Sequence, residues 1–161
     1  MTRAYVGIGS NVEPERHIVM AIQALRGRFG LLTLSPLYQN EAVGFEGDDF
    51  LNGVIGLDTD LDVPSLKTAL DEVELACGRQ RGAARFAPRT LDLDLLVYGD
   101  TVDAAAKLPR GDILRYAFVL KPLADIAAVE SHPVTGKTYA EHWAAFQGEG
   151  DASRVRVLAG L

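Results

Sequence analysis

The chain has 161 residues, a formal charge of −6, 48% hydrophobic and 24% charged residues, and a single cysteine, Cys77. That size predicts one domain over residues 1–161 with a real core. The acidic balance argues against a general nucleic-acid binder, which needs a basic face. The lone cysteine excludes an internal disulfide and suits a reducing compartment; with no apolar run of membrane-span length and no signal-peptide pattern, a cytoplasmic protein away from membranes is expected.

Ala4 to Ile8 predicts an opening strand, and Gly7-Ile8-Gly9-Ser10-Asn11 at its end reads as a tight turn that lets the chain leave the sheet. A Gly-x-Gly after a strand also suggests a dinucleotide site, but the third glycine and the later acidic residue of that fingerprint are missing. From about Glu13 to Phe29, Ile18, Ile22, Leu25 and Phe29 recur at helical spacing and predict a buried stripe. Leu31 to Tyr38 is expected to form a second strand, Gln39 to Asp49 an acidic, glycine-rich loop, and Phe50 to Asp58 a third strand with Asn52 near its start. Asp62 is the expected N-cap of a second helix, with Pro64 in its first turn. Leu66, Leu70, Val73 and Cys77 supply that helix's buried face, so Cys77 reads as core rather than nucleophile, and Glu72 and Glu74 lie off the stripe.

Next comes a segment of opposite character. Arg79, Arg81, Arg85 and Arg89 fall within eleven residues, and no Asp or Glu occurs between Leu75 and Leu91. Gly78 and Gly82 make the segment pliable, and Pro88 ends it. From Thr90 to Leu95 polar and apolar residues then alternate with the period of a half-buried strand. Leu91, Leu93 and Leu95 are expected to face a core, and Asp92 and Asp94 to share the other face about 6 to 7 Å apart. At that separation the carboxylates repel by about 2 to 3 kcal/mol at an effective dielectric near 20. Water tolerates such a pair as a plain solvated face, whereas in a cleft a hard divalent cation turns the repulsion into attraction. Arginines leading into the pair can hold phosphates on the metal's other side.

Beyond the Gly99-Asp100 turn, Val102 to Leu108 is expected as a short strand or loop. Asp112 through Ala128 predicts two short helices, because Pro122 interrupts the apolar pattern. Thr138 to Phe146 predicts a last helix with Trp143 as a packing residue, and Val155 to Leu158 a final strand. His17, His132 and His142 read as scattered surface or packing residues, and no Ser/His/Asp or Cys/His constellation stands out. Interspersed strands and helices predict an α+β fold, a layered sheet with helices on its faces.

The run Arg85-x-Ala87-Pro88-Arg89-x-x-Asp92-Leu93-Asp94-Leu95-Leu96 resembles the signature of the 6-hydroxymethyl-7,8-dihydropterin pyrophosphokinases of the folate pathway, and the likeness extends from Ala4 to about Ala128. The resemblance implies a ferredoxin-like core, mainly an antiparallel sheet. It also implies transfer of pyrophosphate from ATP to the hydroxymethyl oxygen of a reduced pterin, releasing AMP. Asp92 and Asp94 would hold two Mg²⁺ ions, with Arg79, Arg81 and Arg89 gripping the triphosphate as the remaining catalytic residues. Glu74, Phe86, Arg110 and Arg115 would complete the ATP site. Phe50 and Phe118 would sandwich the pterin or serve as ordinary core, Asn52 would read its hydrogen-bonding edge, and Asn40, Val43 and Tyr38 would wall the pocket. A Gly-Ser-Asn at 9–11 would border that pocket, and the 39–49 loop would close over it.

Several positions depart from the family pattern. Phe86 stands for a tryptophan, Arg110 for a histidine, Tyr116 for an arginine with Arg115 beside it, and Asn40-Glu41 for Thr-Pro. Beside the first reading stand a paralogue acting on another reduced pterin and a non-catalytic nucleotide- or partner-binding module. ATP and a reduced pterin are the expected partners, with no obligate protein partner.

Overall fold

The computed structural model describes residues 1–40, 49–78 and 91–152, and the backbone of 155–156. Arg79, Arg81, Phe86 and Arg89, together with Val43 and most of the expected lid, lie outside the described residues.

Nine mostly buried residues form β1 (Thr2–Ser10), followed by α1 (Pro14–Phe29), β2 (Thr33–Leu34), β3 (Leu37–Asn40) and β4 (Phe50–Thr59). Helix α2 (Val63–Ala76) and strand β5 (Asp92–Tyr98) complete the first half. Beyond them come α3 (Asp112–Arg115), α4 (Ala117–Ala127), α5 (Tyr139–Ala144) and the two-residue β6 (Val155–Arg156). The sheet runs β5-β1-β4-β3-β6, with β2 also paired to β4, and every strand pair in it is antiparallel. The chain order β1-α1-β3-β4-α2-β5 on that sheet is the split βαβ arrangement of a ferredoxin-like α+β fold.

One face of the sheet packs on α1 and α2. Val6, Ile8, Leu93 and Leu95 meet Ile18, Ile22, Leu25, Leu66, Leu70 and Val73 there, with Cys77 buried among them. Each such side chain contributes about 1.5 to 3 kcal/mol on burial, so Leu91, Leu93 and Leu95, all buried in this cluster, outweigh the repulsion between Asp92 and Asp94 on the opposite face. A slip of one residue would exchange the two sets, and the register is accordingly well specified. Asp62 caps α2 as expected, its carboxylate accepting from Ser65 N at 2.9 Å.

The second face is covered over only part of its length. Tyr5, Val54, Leu96 and Val97 pack under α4 and α5 against Leu120, Leu123 and Tyr139, and Trp143 packs against this cluster as expected. Tyr38 Oη ties β3 to α4 through Asp125.

Several expectations are corrected. Gly7, Gly9 and Ser10 are not a turn: they belong to β1, the glycines held by ladders on both sides and Ser10 by its pairing with Leu51 of β4. The expected strand over 31–38 is broken into β2 and β3 at Ser35-Pro36, where the proline has no N–H to give. Ser35 bridges the gap, its N–H donating to Val54 O at 3.0 Å and its Oγ accepting from Val54 N at 2.8 Å. Gln39 and Asn40, expected in the loop, extend β3.

Of the two short helices expected over 112–128, the break falls at the extended Tyr116, and Pro122 lies inside α4. The last helix is shorter than expected and opens with a Thr138/Glu141 capping box. Residues 103–108 form a turn closed by an Asp103–Leu108 bridge. His132 and His142 are not scattered but neighbours, their ring centroids 5.6 Å apart. Among the described residues no helix is long and apolar enough to cross a membrane.

Candidate active site

Register assembles the site. Asp92 pairs with Gly9, Gly9 with Asn52, and Asn52 with Tyr38, so these four residues form one row across β5, β1, β4 and β3. One step inward Asp94 pairs with Gly7, and Gly7 with Val54; one step outward Phe50 pairs with Asn40. Directly paired residues share a face, so Asp92, Asp94, Asn52 and Phe50 lie part-exposed on one face, with Asn40 on the same face but buried. Strands lie about 4.8 Å apart, which puts the backbone of Asp92 roughly 10 Å from that of Asn52 with Gly9 between.

The glycine is a requirement of that geometry. A Cβ at Gly9 would sit 2.6 Å from Asn52 Oδ1, so the bare backbone is the floor across which the amide lies. Asn52 Nδ2 donates to Asn40 Oδ1, which fixes the amide's direction. Ser10 and Asn11 are fully buried just beyond, at the end of β1.

Strand β5 is the edge of the sheet, and α2 meets its free side. Glu74 was expected off the buried stripe but is only 3% exposed, and its Oε2 accepts from Leu93 N at 2.8 Å. It thereby ties α2 to the residue between the two aspartates. Glu72, by contrast, is exposed and paired with Arg28 of α1 at 2.7 Å.

Outside the strand runs the segment around Arg110, whose N–H donates to Leu96 O at 2.9 Å. The Arg110 guanidinium lies 3.8 Å from Asp94 and 3.1 Å from Asp112. Burial works to lower its pKa, but Asp94, Asp112 and Asp92 outweigh that and hold it above its ordinary value, firmly charged. Between this segment, β5 and α2 opens a cavity of about 250 Å³ lined in part by Lys67, Asp71, Asp94, Lys107 and Arg110. A larger cleft of about 390 Å³ lies at the other end of the strands beside Arg28, Asp58 and Asp60, away from the paired carboxylates. The smaller cavity is the one that adjoins the paired carboxylates.

As donors, Asp92 and Asp94 are hard oxygens on one half-exposed face. Among the described residues no third His, Cys, Asp or Glu gathers with them into a larger cluster. Such a pair fits Mg²⁺, which keeps waters and takes phosphate oxygens as its other ligands, and it does not fit an all-protein zinc site.

The remaining expected residues are divided. Phe118 is half-buried in the first turn of α4, its ring stacked on Tyr116 at 5.0 Å. Arg115, expected at the nucleotide, pairs with Glu149 at 2.9 Å and lies over the Tyr116 ring at 5.0 Å.

Against the family model for 7,8-dihydro-6-hydroxymethylpterin-pyrophosphokinase, residues 5–128 match. The chain belongs to this pyrophosphokinase family. It is similar to the 2-amino-4-hydroxy-6-hydroxymethyldihydropteridine pyrophosphokinase of Pseudomonas aeruginosa, with 42% identity over 78% of this chain and 80% of that protein. A protein of the same name from Synechocystis is 36% identical over 84% of this chain and 71% of its own length. The one from Campylobacter jejuni is 36% identical over 74% and 80% respectively.

The sequence singled out the two aspartates by their spacing and Asn52 by the pyrophosphokinase family resemblance, and the sheet register brings them onto one face. Lys67, Asp71 and Lys107, which line the cavity at Asp94, were not singled out. Lys67 and Asp71 stand i,i+4 on the flank of α2, and that spacing beside an arginine-rich segment was the available signal. Lys107 is placed by a turn with φ of 57°, which no local motif announces.

Proposed function

We propose that this chain, acting as one domain, transfers pyrophosphate from ATP to the hydroxymethyl group of 6-hydroxymethyl-7,8-dihydropterin and releases AMP, as a cytoplasmic enzyme of folate biosynthesis. The observation that carries the reading is the row Asp92–Gly9–Asn52 with Asp94 beside it, two carboxylates and an amide on one face of a chain that belongs to the family. Asp92 and Asp94 would hold two Mg²⁺ ions, which when bound supply charge neutralisation at the triphosphate and acidify the attacking hydroxyl.

The chain's own residues do the rest. Asn52, its amide oriented by Asn40, offers donor and acceptor to the pterin edge. Phe50 shares that face, and Phe118 lies at the start of the helix that Tyr38 anchors to the sheet. The cavity at the β5 edge takes the nucleoside, with Lys67, Asp71, Lys107 and Arg110 as polar contacts and Glu74 fixing the strand behind it. Arg79, Arg81 and Arg89 grip the phosphates, with Phe86 beside them, and Val43 belongs to the closing loop. In the transfer the pterin hydroxyl gives its proton to water, its oxygen bonds to the β-phosphorus as the bond from that phosphorus to the α-phosphate oxygen breaks, and AMP leaves with that oxygen. No covalent nucleophile is needed, in keeping with Cys77, whose thiol burial pushes up in pKa.

The test is AMP release from ATP with Mg²⁺ and 6-hydroxymethyl-7,8-dihydropterin. Turnover that requires all three is expected. AMP formed only with a different reduced pterin would move the acceptor, and no turnover with any pterin would leave a nucleotide-binding module.

A further inference from the structure

The family match ends at residue 128, yet the chain beyond it returns to the site. Residues 148–150, Gly-Glu-Gly, fill the break between α3 and α4. Glu149 N donates to Arg115 O at 2.8 Å, and Glu149 O accepts from Ala117 N at 2.8 Å. The second bond satisfies one of the unpaired N–H groups that open α4. The Glu149 side chain then accepts from Arg115 Nε at 2.9 Å.

Both glycines are dictated by contact. A Cβ on Gly148 would lie 2.4 Å from Arg115 O, and one on Gly150 would lie 3.0 Å from Phe118 Cδ1 and 3.1 Å from Cε1. Gly150 also has φ of 90°, a conformation L side chains avoid. Phe118 is thus set by two neighbours, the Tyr116 ring and the bare backbone of Gly150. Farther on, β6 pairs with β3 opposite Tyr38, so the same tail also borders the row that holds Asn52.

We propose that residues 148–150 are a positioning element of the pterin pocket, fixing where the Phe118 ring sits and hence how tightly a flat reduced pterin is held. The inference rests on the reading of Phe118 as a pterin contact, and the experiment separates the two. Binding of 6-hydroxymethyl-7,8-dihydropterin is measured by fluorescence titration, and KM for pterin and for ATP by AMP release. The variants are Gly150→Ala, Gly148→Ala, Phe118→Ala and the double variant G150A/F118A, each checked by thermal melting.

Gly150→Ala is expected to weaken pterin binding about tenfold by misplacing the ring, with KM for ATP within about twofold. Gly148→Ala, which displaces the same segment without touching Phe118, should shift pterin binding in the same direction. Once Phe118 is removed, adding Gly150→Ala should have no further effect, the signature of one shared contact. If Phe118→Ala weakens pterin binding while both glycine variants leave it unchanged, the positioning role is overturned and the pterin reading stands. If Phe118→Ala itself leaves pterin binding unchanged, both fall. Equal losses for ATP and pterin would mark a general structural role and also overturn the proposal.

Discussion

The two halves of the sheet's second face use the same strands in opposite ways. Under α4 and α5, Tyr5, Val54, Leu96 and Val97 are buried and the sheet is simply core. Asp94 lies level with Val54 on the edge strand, and one or two residue pairs along the same ladders the face carries Asp92, Gly9, Asn52 and Phe50. The covered half fixes the strands' positions, and the open half carries the residues proposed for the chemistry. A constellation built on strands is held more closely than one built on loops, which suits a reaction whose catalysis is mostly positioning and charge neutralisation.

Substitutions on the two halves should therefore fail differently. Asp92→Ala or Asp94→Ala is expected to reduce AMP release by about 10³-fold or more while moving Tm by no more than about 3 °C. Steady-state kinetics beside a thermal melt checks this, and near-normal rates in either variant would detach the metal from these residues. Leu96→Ala, in the covered half, should do the reverse, costing about 2 to 5 kcal/mol of stability in a denaturant titration while the folded fraction keeps its KM for both substrates. Gly9→Ala lies on the open half and pushes on Asn52 Oδ1. It should weaken pterin binding about tenfold, the scale of one lost hydrogen bond, with ATP binding little affected.

The smallest effect concerns pH, and it belongs to the cover itself, where His132 lies edge-on to Tyr139 of α5. Burial, and then the neighbouring His142, hold His132 below its ordinary 6.5. Its Nδ1 accepts from Val134 N at 3.2 Å and Thr135 N at 3.3 Å, so the neutral ring is the one that fits. The folded state then binds this proton less tightly than the unfolded state. Stability from this group is complete above pH 6.5 and is lost as pH falls below it, at up to about 1.4 kcal/mol per unit. His132→Asn should remove that slope from stability measured between pH 7 and 5, and an unchanged slope would count against the assignment.

Much of this was readable before the fold. Alternation from Thr90 to Leu95 placed the aspartates on one face and the leucines in the core, because a half-buried strand writes its period into the sequence. Helix α2 declared its cap at Asp62 and its stripe at Leu66, Leu70 and Val73 in the same way. What stayed hidden was set by partners distant in sequence. Gly7 and Gly9 look like a turn until β4 and β5 are seen on either side of them. The break at Tyr116 follows from Glu149, far along the chain, and not from Pro122. Glu74 looks like a surface carboxylate by helical periodicity, yet the free N–H of an edge strand draws it inside.

The central claim, that Asp92 and Asp94 hold magnesium against a nucleotide's phosphates, is tested most directly by a crystal structure with a non-hydrolysable ATP analogue and Mn²⁺, locating the metal by its anomalous signal. The account predicts anomalous peaks within bonding distance of both carboxylates, bridged to phosphate oxygens, with the nucleoside in the cavity beside Lys67 and Arg110. Nucleotide bound with no metal on either aspartate, or metal at the Asp58–Asp60 end of the sheet instead, would contradict it.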